Sequence, residues 1–418
     1  MFVRSGGSLG RRAWRGAGAA ALALGAAACS GPFPQTTFRP VTRYGALENS
    51  LFYNTFWWTM LVLAIVWGVL LYVIFRFREK PNAEAPRHIH GNTTLEILWT
   101  IGPALIVAFI AVPTIRGIFQ LEVAAPKDAL VVEVIGHQWW WEFRYPQYGG
   151  MATANEVHLI QGRPVDFVMH SADVVHSFWI PRLAGKRDVN PQPTPPPNVT
   201  ARRVNHIVLT PDSTGVFWGQ CAVYCGASHA DMRVRAVVQT AAEFTGWLQA
   251  YNTPPSPAAG TLPAQGKQIF ESHMCMVCHT VQGTNARGVV GPNLTLVGSR
   301  ETIAAGMLPT SVASLEKWIT LPQAVKPGAL MPGIREGAGG MPPTGLTRDQ
   351  VHAVAEYLAS LRPATAAAAA AAAGGPPAVT GVPGTPASPA AGGSAPAPAA
   401  TTSPAATPSS STSTGRMR

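Results

Sequence analysis

Two cysteine pairs constrain this chain more strongly than any other feature of its sequence. The first lies in the segment Cys221–Met232, which reads CAVYCGASHADM, and the second lies in Cys275–His279, which reads CMVCH. Thiolate, imidazole and thioether groups at this close spacing are typical of metal and haem attachment rather than of a disulfide framework. The sequence therefore predicts two redox centres in one chain, and it indicates a role in accepting and passing on electrons.

The composition indicates a membrane-associated protein with several folded units. A chain of 418 residues is too long for one hydrophobic core. Charged residues make up only 12% of the chain, and its mean hydropathy is positive. The formal net charge of +10 is unevenly placed, because residues 121–255 hold ten basic and eleven acidic side chains. A nucleic-acid partner is therefore not expected.

The N-terminal residues are typical of a bacterial export signal. Residues 1–28 carry four arginines, then an alanine- and leucine-rich run with small residues before Cys29. Ala-Ala-Ala-Cys29 is similar to a lipoprotein cleavage box, although Ala26 stands where leucine is usual. We expect lipidation of Cys29, with ordinary cleavage nearby or retention of the segment as the alternatives.

Two apolar runs predict a transmembrane helix hairpin within residues 45–120. Leu51–Phe75 and Leu95–Phe119 are each long enough to cross the hydrocarbon core, and Pro103 and Pro113 are expected to kink the second helix. A basic cluster follows the first run: Arg76, Arg78, Lys80 and Arg87. Since such clusters stay on the cytoplasmic side, the rest of the chain is expected on the periplasmic side of a bacterial inner membrane. Two buried helices of a soluble domain are the alternative.

The remainder of the chain divides into a strand-rich part, a helical part and a tail. Residues 121–250 contain seven short β-rich runs, typical of a small sandwich or barrel. Residues 262–362 lose this pattern, and Thr347–Gln350 is a capping box before an amphipathic helix. Residues 363–418 have almost no apolar bulk, so we expect them to be disordered. The β-rich runs are Val131–Ile135, Glu156–Ile160, Pro164–His170, His176–Ile180, Arg202–Leu209, Val216–Cys221 and Arg233–Gln239.

The first cysteine pair predicts a copper site. Thiolates at Cys221 and Cys225 can face one point if the backbone turns sharply, and Gly226 permits that turn. His229 and Met232 follow on the same loop, and soft thiolate and thioether ligands favour copper.

A second histidine is still required for this site. His176 is the best candidate because it begins a strand of the same strand-rich part. The competitors, each more readily explained as a surface or core histidine, are His137, His158, His170 and His206. A zinc site with two cysteines and two histidines and a simple disulfide are the alternatives, but neither explains Met232 or the second motif.

Four segments closely resemble subunit II of haem–copper cytochrome c oxidases. They are Glu96–Pro103 (EILWTIGP), Gly136–Trp141 (GHQWWW), Asp173–Phe178 (DVVHSF) and Cys221–Met232. The resemblance covers residues 45–250 and implies a cupredoxin fold, an all-β Greek-key barrel, that holds a dinuclear, mixed-valence CuA centre. It also implies two bridging thiolates, two histidines that each bind one copper, and two weak outer ligands. The bridging thiolates would be Cys221 and Cys225, and the histidines would be His176 and His229. The weak outer ligands would be Met232 and the main-chain carbonyl of Val223.

Two further positions carry implications from this resemblance. Trp139 stands at the aromatic residue through which electrons enter from cytochrome c. Family members usually carry glutamate at the position of Val223, and the glutamate side chain reaches a magnesium site. Valine keeps the carbonyl and loses the carboxylate, so we expect copper to bind without a magnesium contribution from this position.

The second cysteine pair is the attachment pattern of one covalently bound haem c. Cys275 and Cys278 form the thioethers, and the adjacent His279 becomes the fifth iron ligand. The segments Gly291–Arg300 and Lys326–Pro332 resemble the class I cytochrome c domain of haem-c-fused, caa-type oxidases, an all-α fold. This resemblance implies a methionine as sixth ligand. We expect Met331, with Met341 as the alternative.

Together these features predict the subunit through which electrons enter an aerobic terminal oxidase. Electrons from a periplasmic cytochrome or a cytochrome bc complex would pass through haem c and CuA to the haem–copper subunit I, which reduces dioxygen to water. The expected partners are subunit I, other oxidase subunits and membrane lipid. The alternatives are the electron-input subunit of a CuA-containing nitric oxide reductase and a stand-alone membrane-anchored electron carrier.

Overall fold

The computed structural model describes residues 33–78, 91–191, 204–254, 257 and 259–363. The expected export signal, Cys29, and Lys80 and Arg87 of the basic cluster lie outside the described residues. So does the expected disordered tail beyond residue 363.

Two long apolar helices form the N-terminal part of the described chain. They are α1 (Arg43–Arg76) and α2 (Thr93–Leu121), capped by the side chains of Thr42 and Asn92. Both are long and apolar enough to span a membrane, and most of their large apolar side chains are exposed. Trp58 of α1 stacks on Phe109 of α2, with ring centroids 5.3 Å apart. The predicted helix pair is therefore present.

Both helices extend beyond the predicted apolar runs. The first starts before Leu51, because the cap at Thr42 begins the helix in the polar segment that precedes the apolar run. Its start is fixed to the following domain, where the Val41 amide donates to the Arg182 carbonyl at 2.8 Å. The second helix continues through Pro103 and Pro113.

A β-sandwich follows the helices. Within the described residues it has two five-stranded sheets, with strand orders β3-β2-β1-β5-β8 and β4-β10-β9-β6-β7. The β1–β5 and β4–β10 pairs are parallel, and the other neighbours are antiparallel. The strands are β1 (Leu130–His137), β2 (Trp140–Tyr145), β3 (Met151–Ala154), β4 (Glu156–Ile160), β5 (Val165–Ser171), β6 (His176–Trp179), β7 (Arg187–Val189), β8 (Asn205–Leu209), β9 (Gly215–Cys221) and β10 (Arg233–Gln239).

Aromatic side chains fill the space between the two sheets. Trp141, Phe143 and Tyr145 alternate along β2 and are all fully buried. Phe178 of β6 meets Trp141 edge to face, with centroids 5.4 Å apart. Such large buried rings supply most of the apolar area that stabilises a domain of this size. The sandwich core thereby fixes β6 and β9, the strands that lead into the copper motif.

The last described part is mainly helical. Its helices are α3 (Ala241–Asn252), which packs on the sandwich, α4 (Leu262–Ser272), α5 (Cys275–Cys278), α6 (Val312–Thr320), α7 (Pro322–Val325) and α8 (Arg348–Ser360). The predicted capping box at the start of α8 is confirmed, since Thr347 and Gln350 each bond the other's backbone amide.

A small hairpin adds to the expected all-helical fold. It pairs β11 (Thr302–Ile303) with β12 (Leu308–Pro309). Its strands have only two residues each, too short to produce a period in the sequence. The exact domain limits stay predictions.

Candidate copper and haem centres

The copper motif connects two neighbouring strands of one sheet. Cys221 ends β9, and Met232 immediately precedes β10. The Cys221 amide donates to the Met232 carbonyl at 2.9 Å and closes the base of the loop. Gly226 has a φ of 119°, a conformation that side-chain-bearing residues rarely adopt, so the glycine makes the sharp turn possible. The loop folds its cysteine, histidine and methionine side chains toward one point.

The sulfur atoms lie at distances that suit a shared metal. The two Sγ atoms of Cys221 and Cys225 are 3.7 Å apart, and both cysteines are free. A disulfide bond is about 2.05 Å long, so the simple disulfide does not describe this pair. Cys225 Sγ also lies 3.6 Å from His229 Nδ1 and 4.0 Å from Met232 Sδ. The carbonyl of Val223 lies 3.2 Å from Cys221 Sγ.

His176 completes the group from the neighbouring strand. It begins β6, its side chain is fully buried, and its Nδ1 lies 4.0 Å from Cys221 Sγ. The potential ligand atoms of His176, Cys221 and Cys225 all lie within 4.8 Å of one another. This donor set of soft sulfur and imidazole atoms fits copper.

Three of the four competing histidines have hydrogen-bond partners elsewhere. His137 bonds Glu142 at 3.0 Å, His158 bonds Gln239 at 2.9 Å, and His206 bonds Asp166 at 2.9 Å. His170 lies on β5, where burial lowers its pKa.

The environment of the copper motif favours a thiolate before any metal binds. Contact with Cys225 lowers the pKa of Cys221 against the effect of burial, and the same contact raises the pKa of Cys225, so the pair carries one negative charge. Burial opposes a charge on His176. Its hydrogen bonds to Asp173 and Cys221 outweigh that effect and raise its pKa.

Asp173 orients the histidine. Its Oδ1 lies 2.8 Å from His176 Nε2 and accepts the Val174 amide at 2.6 Å. Its Oδ2 accepts the Gln138 amide at 2.6 Å. A carboxylate held by two amides leaves the imidazole little freedom, so Nδ1 faces the sulfur atoms.

Trp139 packs directly on the copper loop. Its indole Nε1 donates to the Cys225 carbonyl at 3.0 Å, and Gln138 Nε2 donates to the same oxygen at 2.8 Å. The side chain is only 9% exposed. Trp139 lies just before β2, not on the strand itself.

The haem motif forms a short helical turn that presents one histidine nitrogen. The His279 amide donates to the Cys275 carbonyl at 2.9 Å, and His279 Nδ1 bonds the Pro292 carbonyl at 2.8 Å. Nδ1 is thereby occupied, and Nε2 is left for iron. Burial lowers the pKa of His279, which favours the neutral, ligating form.

A largely apolar cavity of about 320 Å³ adjoins this turn. Cys275, Cys278 and His279 line it, as do both candidate methionines, Met331 and Met341. Arg300 lines the same cavity and donates to the Asn293 carbonyl at 2.6 Å, so it would be the cation available to the carboxylates of a porphyrin. The lining and the donor set fit a haem c.

The copper domain supplies part of this cavity's wall. Gln138, Trp139, Trp140 and Asn155 line it from the sandwich side. Trp139 thus touches the copper loop and borders the haem cavity.

Hydrogen bonds and ion pairs hold the two domains together at this wall. Ser228 of the copper loop donates to the Pro327 carbonyl at 2.7 Å, and the Lys326 ammonium donates to the Trp139 carbonyl. Arg235 pairs with Glu156 at 3.1 Å within the sandwich and with Glu301 across the interface. Sequence reasoning missed these residues, because each lies far in sequence from its partner across the interface.

Three family models match consecutive parts of the chain. They are the transmembrane domain of cytochrome c oxidase subunit II over residues 46–116, its periplasmic domain over residues 150–240, and cytochrome c over residues 263–362. Cytochrome c oxidase subunit 2 of Alkalihalophilus pseudofirmus is 35% identical over 72% of this chain and 83% of its own length. The chain belongs to the cytochrome c oxidase subunit II family.

A second relative agrees with this assignment. Cytochrome c oxidase subunit 2 of Bacillus subtilis is 33% identical over 70% of this chain and 82% of its own length. The crystal structure of the periplasmic domain of subunit II of cytochrome oxidase of Bradyrhizobium japonicum is 27% identical, covers 30% of this chain and 96% of that chain, and has a TM-score of 0.27.

Family membership confirms the broad predictions made from the sequence. The chain is an oxidoreductase component of the terminal oxidase, and electrons enter the oxidase through it. It assembles with subunit I. It is a membrane protein with two spans, a cupredoxin domain for copper and a cytochrome c domain for haem.

Proposed function

We propose that the chain conducts electrons from a donor, through its cytochrome c domain, to its copper domain and on to subunit I. The position of Trp139 supports transfer from the cytochrome c domain to the copper domain. Its side chain bonds the Cys225 carbonyl and also borders the haem cavity. One aromatic side chain thereby spans the wall between the two centres. Trp139 is the residue through which electrons enter the copper site.

The copper site is dinuclear and is held by six residues of this chain. Cys221 and Cys225 would hold both metals, and a rigid β-scaffold around them leaves little to rearrange when an electron moves. His176 and His229 each bind one copper, while Met232 and the Val223 carbonyl are weak outer ligands. The 3.7 Å separation of the two Sγ atoms supports bridging without a sulfur–sulfur bond.

The haem is covalently bound through Cys275 and Cys278. His279 offers Nε2 to one face of the iron, because the Pro292 carbonyl occupies Nδ1. Met331 would supply the sulfur ligand, on a loop held by the bond from Gln323 Nε2 to the Met331 carbonyl at 2.9 Å. When bound, haem c and CuA supply the redox chemistry, each taking up and releasing one electron at a time.

Both centres lie on the outer side of a bacterial inner membrane. Arg76 and Arg78 at the end of α1 support a cytoplasmic connection between the helices. The donor is a periplasmic cytochrome or a cytochrome bc complex. Other oxidase subunits and membrane lipid contact the helix pair.

Purification of the full-length chain with its partner subunits from copper-replete cells tests this function. We expect the multi-line paramagnetic signal of a spin shared by two coppers, a covalently held haem c and dioxygen uptake driven by a reduced cytochrome. Absence of the shared-spin signal in the copper-loaded complex overturns the dinuclear assignment. Reduction of nitric oxide without dioxygen uptake overturns the oxidase assignment.

A further inference from the structure

A lysine of the cytochrome c domain is buried at the wall between the two centres. Lys326 is only 4% exposed, and it lines the haem cavity. Its ammonium donates to the main-chain carbonyl of Trp139, and the Asp231 carboxylate of the copper loop is close enough to stabilise its charge. Burial lowers the pKa of Lys326 to about 7.

The residues after Lys326 continue the same contact. Pro327 accepts the Ser228 hydroxyl at 2.7 Å, and Ser228 is fully buried in the copper loop. Gly328 has a φ of 82°, and a Cβ at this position would lie 2.8 Å from the Trp139 ring, so the backbone packs against the indole. We name Ser228, Lys326, Pro327 and Gly328 the clasp.

The clasp holds Trp139 against the copper loop. The Cys225 carbonyl holds its indole nitrogen, the Lys326 ammonium holds its main-chain carbonyl, and Gly328 covers its ring. Lys326, Pro327 and Gly328 of the clasp also lie on the segment that leads to Met331. One short stretch of chain therefore touches the copper loop, the tryptophan and the approach to the haem ligand.

Stability alone does not account for a lysine at this place. Taking an ammonium out of water without a hydrogen-bonded carboxylate is costly, and an apolar side chain of similar length would pack at the same site without that cost. The ammonium does give a directed, charge-assisted bond to one carbonyl oxygen, which an apolar side chain cannot give.

We propose that Lys326 is a positioning residue for electron transfer between the haem and copper centres. Together with the rest of the clasp, it docks the cytochrome c domain on the copper loop and holds Trp139 in place between them. This inference rests on the proposed function.

The test compares Lys326→Met with the parent chain in the purified oxidase. Methionine has similar length and no donor. After photoreduction of haem c, we expect electron transfer to copper to slow roughly tenfold, the change that loss of one charge-assisted hydrogen bond can cause in a docking equilibrium. The haem absorption band and the copper paramagnetic signal are expected to stay unchanged, and the unfolding temperature is expected to stay equal or rise. Lys317→Met, at an exposed lysine of the same domain, is the matched control and keeps the parent rate.

A second variant and a second readout keep the test decisive. Ser228→Ala removes the other hydrogen bond of the clasp and is expected to slow transfer roughly fivefold. In both variants, amide exchange of residues 136–141 and 326–331 is expected to accelerate, and this is measurable with or without bound cofactors. The Ser228→Ala result decides alone if Lys326→Met does not fold.

Other outcomes count against the inference in distinguishable ways. Parent transfer rates in both variants overturn it. Slower transfer together with a lost copper signal or a lower unfolding temperature also overturns it, because the residue is then structural. A parent complex without the shared-spin signal refutes the proposed function itself.

Discussion

The indole nitrogen of Trp139 donates to the main-chain carbonyl of Cys225 at 3.0 Å. This bond joins a residue that borders the haem cavity to a residue whose thiolate lies in the copper site. The two centres are thus connected by one side chain and one peptide group. The electron-transfer path between the haem and copper centres therefore depends on the packing of the domain interface as well as on the metal ligands.

Replacement of Trp139 is expected to slow transfer without disturbing either centre. Trp139→Phe loses the bond to the Cys225 carbonyl and leaves a gap beside Gly328, so the distance to be tunnelled increases. We expect transfer from haem c to copper to slow roughly tenfold, consistent with loss of one buried hydrogen bond and of ring packing. Time-resolved absorption after photoreduction of haem c measures the rate of this transfer. Trp140→Phe, at the neighbouring ring of the cavity wall, is the control, and an equal effect there would refute a special role for Trp139.

Loss of the Asp173 carboxylate is expected to weaken copper binding. Asp173→Asn keeps the size of the side chain and removes the charge that orients His176, whose Nε2 lies 2.8 Å away. Loss of such an outer partner typically lowers metal affinity by about 10- to 100-fold. Competition with a copper chelator measures the affinity, and the near-infrared band reports the change in the site.

A second aspartate–histidine pair of the same sandwich provides the control. Asp166 lies 2.9 Å from His206, which is half exposed and apart from the sulfur atoms. Asp166→Asn is expected to keep the copper affinity of the parent chain. Equal losses in both variants would show that the effect is on the fold and not on His176.

Most of the copper ligands could be predicted from the sequence because one loop carries them close together. Cys221, Cys225, His229 and Met232 fall within one turn between two strands, and a short motif is enough to predict that they converge. His176 could be predicted as the second histidine from its position at the start of a strand. The contacts between the two domains were not accessible. Lys326 is 187 positions from Trp139, so only the docked domains bring them together.

Short strands were missed for a related reason. The predicted strand set omitted β2, β3 and β7, although Trp141, Phe143 and Tyr145 of β2 alternate toward the core. The three consecutive tryptophans at 139–141 mask this alternation in the sequence. Strand β7 has three residues, which is too few to show a period of two.

The identity of the sixth haem ligand is testable by two matched variants. Both Met331 and Met341 line the cavity, but only Met331 packs against the core of the cytochrome c domain. Met331→Leu is expected to abolish the sulfur-to-iron charge-transfer band of the oxidised protein and to lower the haem potential, because methionine ligation raises it. Met341→Leu is expected to keep both. Loss of the band only in Met341→Leu would show that our assignment is wrong.

His158 is expected to make the copper domain sensitive to acid. Burial lowers its pKa to about 4, partly offset by the bond to Gln239, and its ring stacks on Trp247 with centroids 4.0 Å apart. In the unfolded chain the pKa of a histidine is about 6.5. Between these values only the unfolded chain binds the proton, so the free energy of unfolding falls as the pH drops from about 6.5 to about 4, by about 3 kcal/mol in total.

A variant that cannot be protonated isolates this effect. His158→Phe keeps a ring against Trp247 and is expected to flatten the pH dependence over that interval. Amide exchange of β4 and β10, corrected for the intrinsic rates, measures the local stability. Val157→Ala, at the adjacent core residue, is expected to lower stability by a similar amount at every pH. An unchanged slope in His158→Phe would assign the acid sensitivity to other groups, whereas a flattened slope would identify the buried imidazole as the group that takes up the proton on unfolding.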